Sequence, residues 1–79
     1  MRAYQNSVTA MALMRTAREQ LASAMDEVHG VELEIAAVVQ PNTLPRLAGC
    51  AISMEARLER ALNMLRTIQD LNRIDGETR

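Results

Sequence analysis

Residues 29 to 41 read HGVELEIAAVVQP. His29–Gly30 is a candidate helix break. Val31, Leu33 and Ile35 then alternate with Glu32 and Glu34, the period of a strand. The flanking residues decide between a strand and a helix. Numbering heptads with Met11 at position a places Tyr4, Met11, Arg18, Met25, Glu32 and Val39 in one column. Position d holds Ser7, Met14, Leu21, Val28 and Ile35, and position g holds Ala3, Ala10, Ala17, Ala24, Val31 and Val38. The apolar stripe therefore runs in phase through Gly30, which falls at position f on the outside. A glycine on an exposed helix face costs about 1 kcal/mol and need not end the helix. A lone strand would also lack a partner, because the chain offers no second strand candidate. The reading is a helix over about 5–39, with a kink at 29–30 as the alternative to a straight one.

Prolines 41 and 45 bracket the stretch QPNTLP, residues 40–45. The residue before a proline is pushed away from helical angles, so the first helix should stop near Val39 or Gln40. A turn over 40–44 follows. Asn42 or Thr43 can cap a second helix, with Pro45 tolerated in its first turn, and that helix should span about 45–74. The tail DGETR should end or fray it. A connection this short makes the helices antiparallel neighbours, an all-α helical hairpin in a single domain over residues 1–79.

The second helix repeats the pattern. Leu47, Met54, Ala61 and Ile68 form one column, and Leu44, Ala51, Leu58 and Leu65 the next, with Cys50, Leu62, Met64 and Leu71 on the flanks. An alanine column lets a neighbouring helix approach closely. Leu13 and Leu33 fall outside the stripe of the first helix. Stripes this wide exceed what one hairpin can cover, so dimerisation into a four-helix bundle is the simplest closure. The interface expected on the first helix comprises Met11, Met14, Arg18, Leu21, Met25, Val28, Glu32 and Ile35.

Composition supports self-association. A 79-residue chain buries a small fraction of its surface and needs a supplement to its core. One cysteine excludes an internal disulfide, and one histidine speaks against structural zinc. There is no Phe or Trp, but there are six Met, which suits closely packed helices and surfaces that adapt to varied partners. Nine arginines without a lysine indicate GC-rich coding and a bacterial source. The net charge of −1 gives no global attraction to nucleic acid or anionic lipid. The longest apolar run, residues 35–39, is far short of a membrane span. No secretory signal is legible, so the cytoplasm is the expected compartment.

Arg18 and Glu32 are the two charges inside the stripe. Either both side chains bend out to solvent from its edge, or each meets the opposite charge on a second antiparallel copy centred on Met25. Along the hairpin, Glu27 should lie level with Arg57 and Glu19 with Arg66.

Chemistry is hard to assemble from these residues. Asp26 and His29 have the spacing of half a di-metal motif, and Glu55 and Glu59 share a face without a histidine. Cys50 reads as a small buried hydrophobe. No phosphate-cradling glycine loop or nucleophile–base pair is present. The expectation is a non-enzymatic module without cofactor or metal. It would act as a regulator, adaptor or chaperone, as a homodimer or by accepting a second protein on the methionine-rich stripe.

Other functions are compatible with the same architecture. One is an RNA-binding four-helix bundle of the Rop kind, disfavoured by the acidic first helix and the lack of stacking aromatics. Another is a structural subunit or chaperone of a secretion apparatus, whose Asn/Pro-rich turns PNTLP resembles in kind. The third is a phage or plasmid inhibitor.

Overall fold

The computed structural model describes residues 2–35 and 41–77. These form two helices, α1 (Arg2–Ile35) and α2 (Thr43–Glu77), with no strand among the described residues. The helix runs unbroken through His29 and Gly30. The expected end of the first helix at Val39 or Gln40 lies outside the described residues.

Three boundaries differ from the sequence expectation. Helix α1 begins at Arg2 rather than near residue 5. Helix α2 begins at Thr43 rather than 45, because Asn42 caps it: the Asn42 carbonyl accepts the Arg46 N–H at 3.3 Å. Pro41 and Asn42 make the turn. Pro45 then sits third in the helix, within the first turn, where its missing N–H has no intrahelical acceptor to lose. At the far end α2 passes through Gly76 to Glu77 rather than stopping near 74. Arg73 pairs with Glu77 at 3.1 Å and lies 4.0 Å from Asp70. The Asn6 amide donates to the Asp75 carboxylate at 3.3 Å, tying the last turn of α2 to α1.

The molecule is a rod of 59 × 15 × 11 Å between Cα atoms. Its radius of gyration is 17.9 Å, against about 12 Å for a compact globule of this length. Among the described residues the two helices pack only on each other. Among the described residues, three hydrophobic side chains are buried: Ala17 at 1% exposure, Ala24 at 2% and Ala61 at 2%. Position g of α1 therefore forms the centre of the contact with α2. Leu13, Gln20 and Glu27 at position c flank it half-buried on one side, and Val28 and Ile35 at position d on the other. Leu13, which fell outside the stripe as read from the sequence, is thus part of the seam. The seam is centred on the alanines, so it recruits position c as well as d. Leu33 remains exposed.

Three hydroxyls along the rod are satisfied within their own helix. Ser7, Thr16 and Thr67 each donate to the carbonyl four residues earlier, at 2.9, 3.1 and 2.9 Å. The glycines are different. A methyl group placed at Gly30 or Gly49 would meet nothing within 4 Å, and both positions are helical. Gly30→Ala and Gly49→Ala should each stabilise the fold by about 1 kcal/mol through helix propensity alone. Thermal melts should move up by roughly 4–8 °C per substitution. A fall would mean that Gly30 or Gly49 makes a contact in the assembly that a methyl group blocks.

Candidate functional site

The two broad sides of the hairpin differ in chemistry. On one side, position c of α1 meets the polar column of α2. Glu27 accepts from Arg57 and from the Ser53 hydroxyl, the latter at 2.9 Å. Glu34 pairs with Arg46. The Glu27–Arg57 pair is the one anticipated from the sequence, and Glu34–Arg46 is additional. Glu19 and Arg66 form no ion pair, although both are described. Helical register explains this: Glu19 sits at position b of α1, two columns from the seam, and Arg66 lies on the outer surface of α2. Pairs that keep access to solvent, as these do, contribute about 1 kcal/mol or less, so they set orientation more than stability.

The opposite side is mostly apolar, with Glu55 and Glu59 beside Leu58 and Leu62 on α2, and no other described residue covers it. Val28, Glu32 and Ile35 of α1 line a groove with Leu47, Ala51 and Met54 of α2, which places positions a and d of α1 on the same side as those α2 residues. Further along α1, Met11, Met14 and Arg18 share a surface depression. Leu21 and Met25 lie between these two regions by helical register. All eight residues expected at an interface therefore share one face. Met11, Met14, Arg18, Leu21, Met25 and Glu32 are exposed, Met25 at 72%, and Val28 and Ile35 are half-buried at the groove edge.

Sequence reading placed that interface on α1 alone. The structure adds the α2 half of the same face: Leu44, Leu47, Leu58 and Leu62 are exposed there, alongside Ala51. The signal was present in the Leu44–Ala51–Leu58–Leu65 column. It lacked only the direction in which that column points. Toward the chain ends the face becomes more polar, with Ser7, Gln69 and Asn72 lining the groove between the helices.

Cys50 is not the fully buried hydrophobe expected. It is a half-buried free thiol on the groove wall beside Val31 and Met54. Its neighbours are apolar because its column lies at the edge of the seam rather than at its alanine centre. Asp26, His29, Glu55 and Glu59 are all exposed, and no group of three or more potential metal ligands gathers among the described residues. No helix among the described residues is long and apolar enough to cross a membrane.

Compared with protein family models, curated protein sequences and solved structures, the chain shows no match. Its function has to be argued from this face.

Proposed function

We propose that the chain is a non-enzymatic interaction module whose apolar face is closed by the helices of another polypeptide into a four-helix bundle. The observation that supports this is the mismatch between its core and its surface. Among the described residues the buried hydrophobic side chains are three alanines, whereas Met11, Met14, Leu21, Met25, Leu47, Leu58 and Leu62 lie exposed on one side. Burying a Leu or Met side chain contributes about 1.5–3 kcal/mol, so an alanine seam alone is a weak core for two helices of 34 and 35 residues.

The surface area points the same way. The chain exposes 6241 Å². A folded monomer of 8.8 kDa is expected to expose about 4,800 Å². The excess is more than the roughly 800 Å² that one partner contributes to a stable interface. Large contiguous apolar patches mark association surfaces.

The polar side supports a protein partner over RNA. Two of its arginines, Arg46 and Arg57, are already held by Glu34 and Glu27, which withdraws them from phosphate contact.

Light scattering from low micromolar to millimolar concentration tests the proposal. The expected mass is about twice 8.8 kDa, with a melting temperature that rises with concentration. A monomer that melts cooperatively at a concentration-independent temperature, and does so equally when Leu58 is replaced by Gln, would show that the face needs no covering.

A further inference from the structure

We infer that the occupant of this face is a second copy of the chain, laid antiparallel with α1 on α1 and α2 on α2 about a two-fold axis at Met25. The inference rests on the interaction-module reading and deepens it. Arg18 and Glu32 are the observation behind it. Both sit in the a column of the apolar face, both are exposed, and neither forms an ion pair among the described residues. They are fourteen residues apart (32 − 18), about 21 Å along a helix, so they cannot meet within one chain. Met25 is their midpoint.

A two-fold axis there brings Arg18 of each copy against Glu32 of the other, twice. The same operation brings Leu21 to within one residue, about 1.5 Å along the axis, of the level of Val28 in the second copy, so apolar residues come near apolar ones along the stripe. Other registers fail. Centring on Arg18 opposes two guanidinium groups, and centring on Glu32 opposes two carboxylates. A shift of one step toward either end leaves one of the two charges on Met25 without a partner. A desolvated charge without a partner is costly, so the pairing selects the register.

The position of α2 fits this axis. Glu27 pairs with Arg57, and Asn6 with Asp75, so Leu58 lies nearly level with Met25. The axis therefore passes close to Leu58, an exposed member of the face. The alternative stacking puts α1 of one copy on α2 of the other. It would set Arg18 near the level of Leu65 and Glu32 near Ala51, leaving four charges per dimer against apolar surface.

Two variants and a crosslink test the geometry. Arg18→Glu opposes carboxylates across the axis, and Glu32→Arg opposes guanidinium groups. Each alone should weaken self-association about tenfold or more. Mixed in equal amounts, the two variants should pair with each other at near wild-type affinity, because every cross-chain contact is then between opposite charges. In a Cys50→Ala background, Met25→Cys should form a disulfide-linked dimer under mild oxidation, and His29→Cys, off the face, should not. Circular dichroism of each variant confirms that the hairpin is folded.

A wild-type dimer without recovery in the mixture, or without the Met25→Cys crosslink, overturns this arrangement while leaving the interaction-module reading standing. A folded wild-type monomer at millimolar concentration overturns the second copy as occupant.

Discussion

Met25→Glu should dissociate the proposed dimer and leave the hairpin folded. Met25 is 72% exposed in the single chain, so the isolated hairpin loses little when the side chain changes. Met and Glu also have similar helix propensities. In the proposed dimer the same position lies on the two-fold axis. The substitution removes two apolar side chains from the centre of the interface and sets two carboxylates face to face. Central apolar residues dominate interface energies, and like charges juxtaposed in an interface cost several kcal/mol. The expected rise in dissociation constant is on the order of 100-fold or more. Sedimentation equilibrium reads the effect directly, with circular dichroism at high concentration as the check on folding. An unchanged association constant would remove Met25 from the interface and the axis with it.

Ala24→Leu should act on the other surface, the one inside the hairpin. Ala24 is 2% exposed, and among the described residues α2 is the element packed against α1. A leucine there forces α1 and α2 apart or off their rotamers. Overpacking of this kind typically costs about 1–3 kcal/mol. For a chain of this size that is a fall in melting temperature of roughly 4–8 °C per kcal/mol. Ala22→Leu makes the same chemical change at an exposed position and should alter stability by about 0.5 kcal/mol or less. Equal melting temperatures for the two variants would mean that the alanine column is not where the helices touch.

The two predictions separate two surfaces that the sequence presents as one stripe. Positions a, d and g of α1 were legible as a single apolar band, and Gly30 was legible as lying outside it. The turn followed from Pro41 and Pro45, since proline restricts both itself and the residue before it. The extra turn at the end of α2 was not legible. Gly76 argues against helix there, and what holds the helix is an amide on Asn6, about seventy residues away in sequence. The Glu27–Arg57 pair followed from counting outward from the turn, because levels along an antiparallel hairpin are fixed once the turn is placed. The same count set Glu19 level with Arg66 and gave no pair. Level is only half of the condition, and both side chains also have to lie at the seam.

Periodicity alone determined that this chain is two helices, which residues of each share a stripe, and that the stripe is wider than one hairpin can bury. A heptad pattern fixes those facts because each side chain's angular position about its own helix follows from its number. Only the tertiary structure decided which part of the stripe turns inward. The alanine column took that place because small side chains let two helices approach most closely. The methionine and leucine columns beside it, with Arg18 and Glu32 among them, were left on the outside.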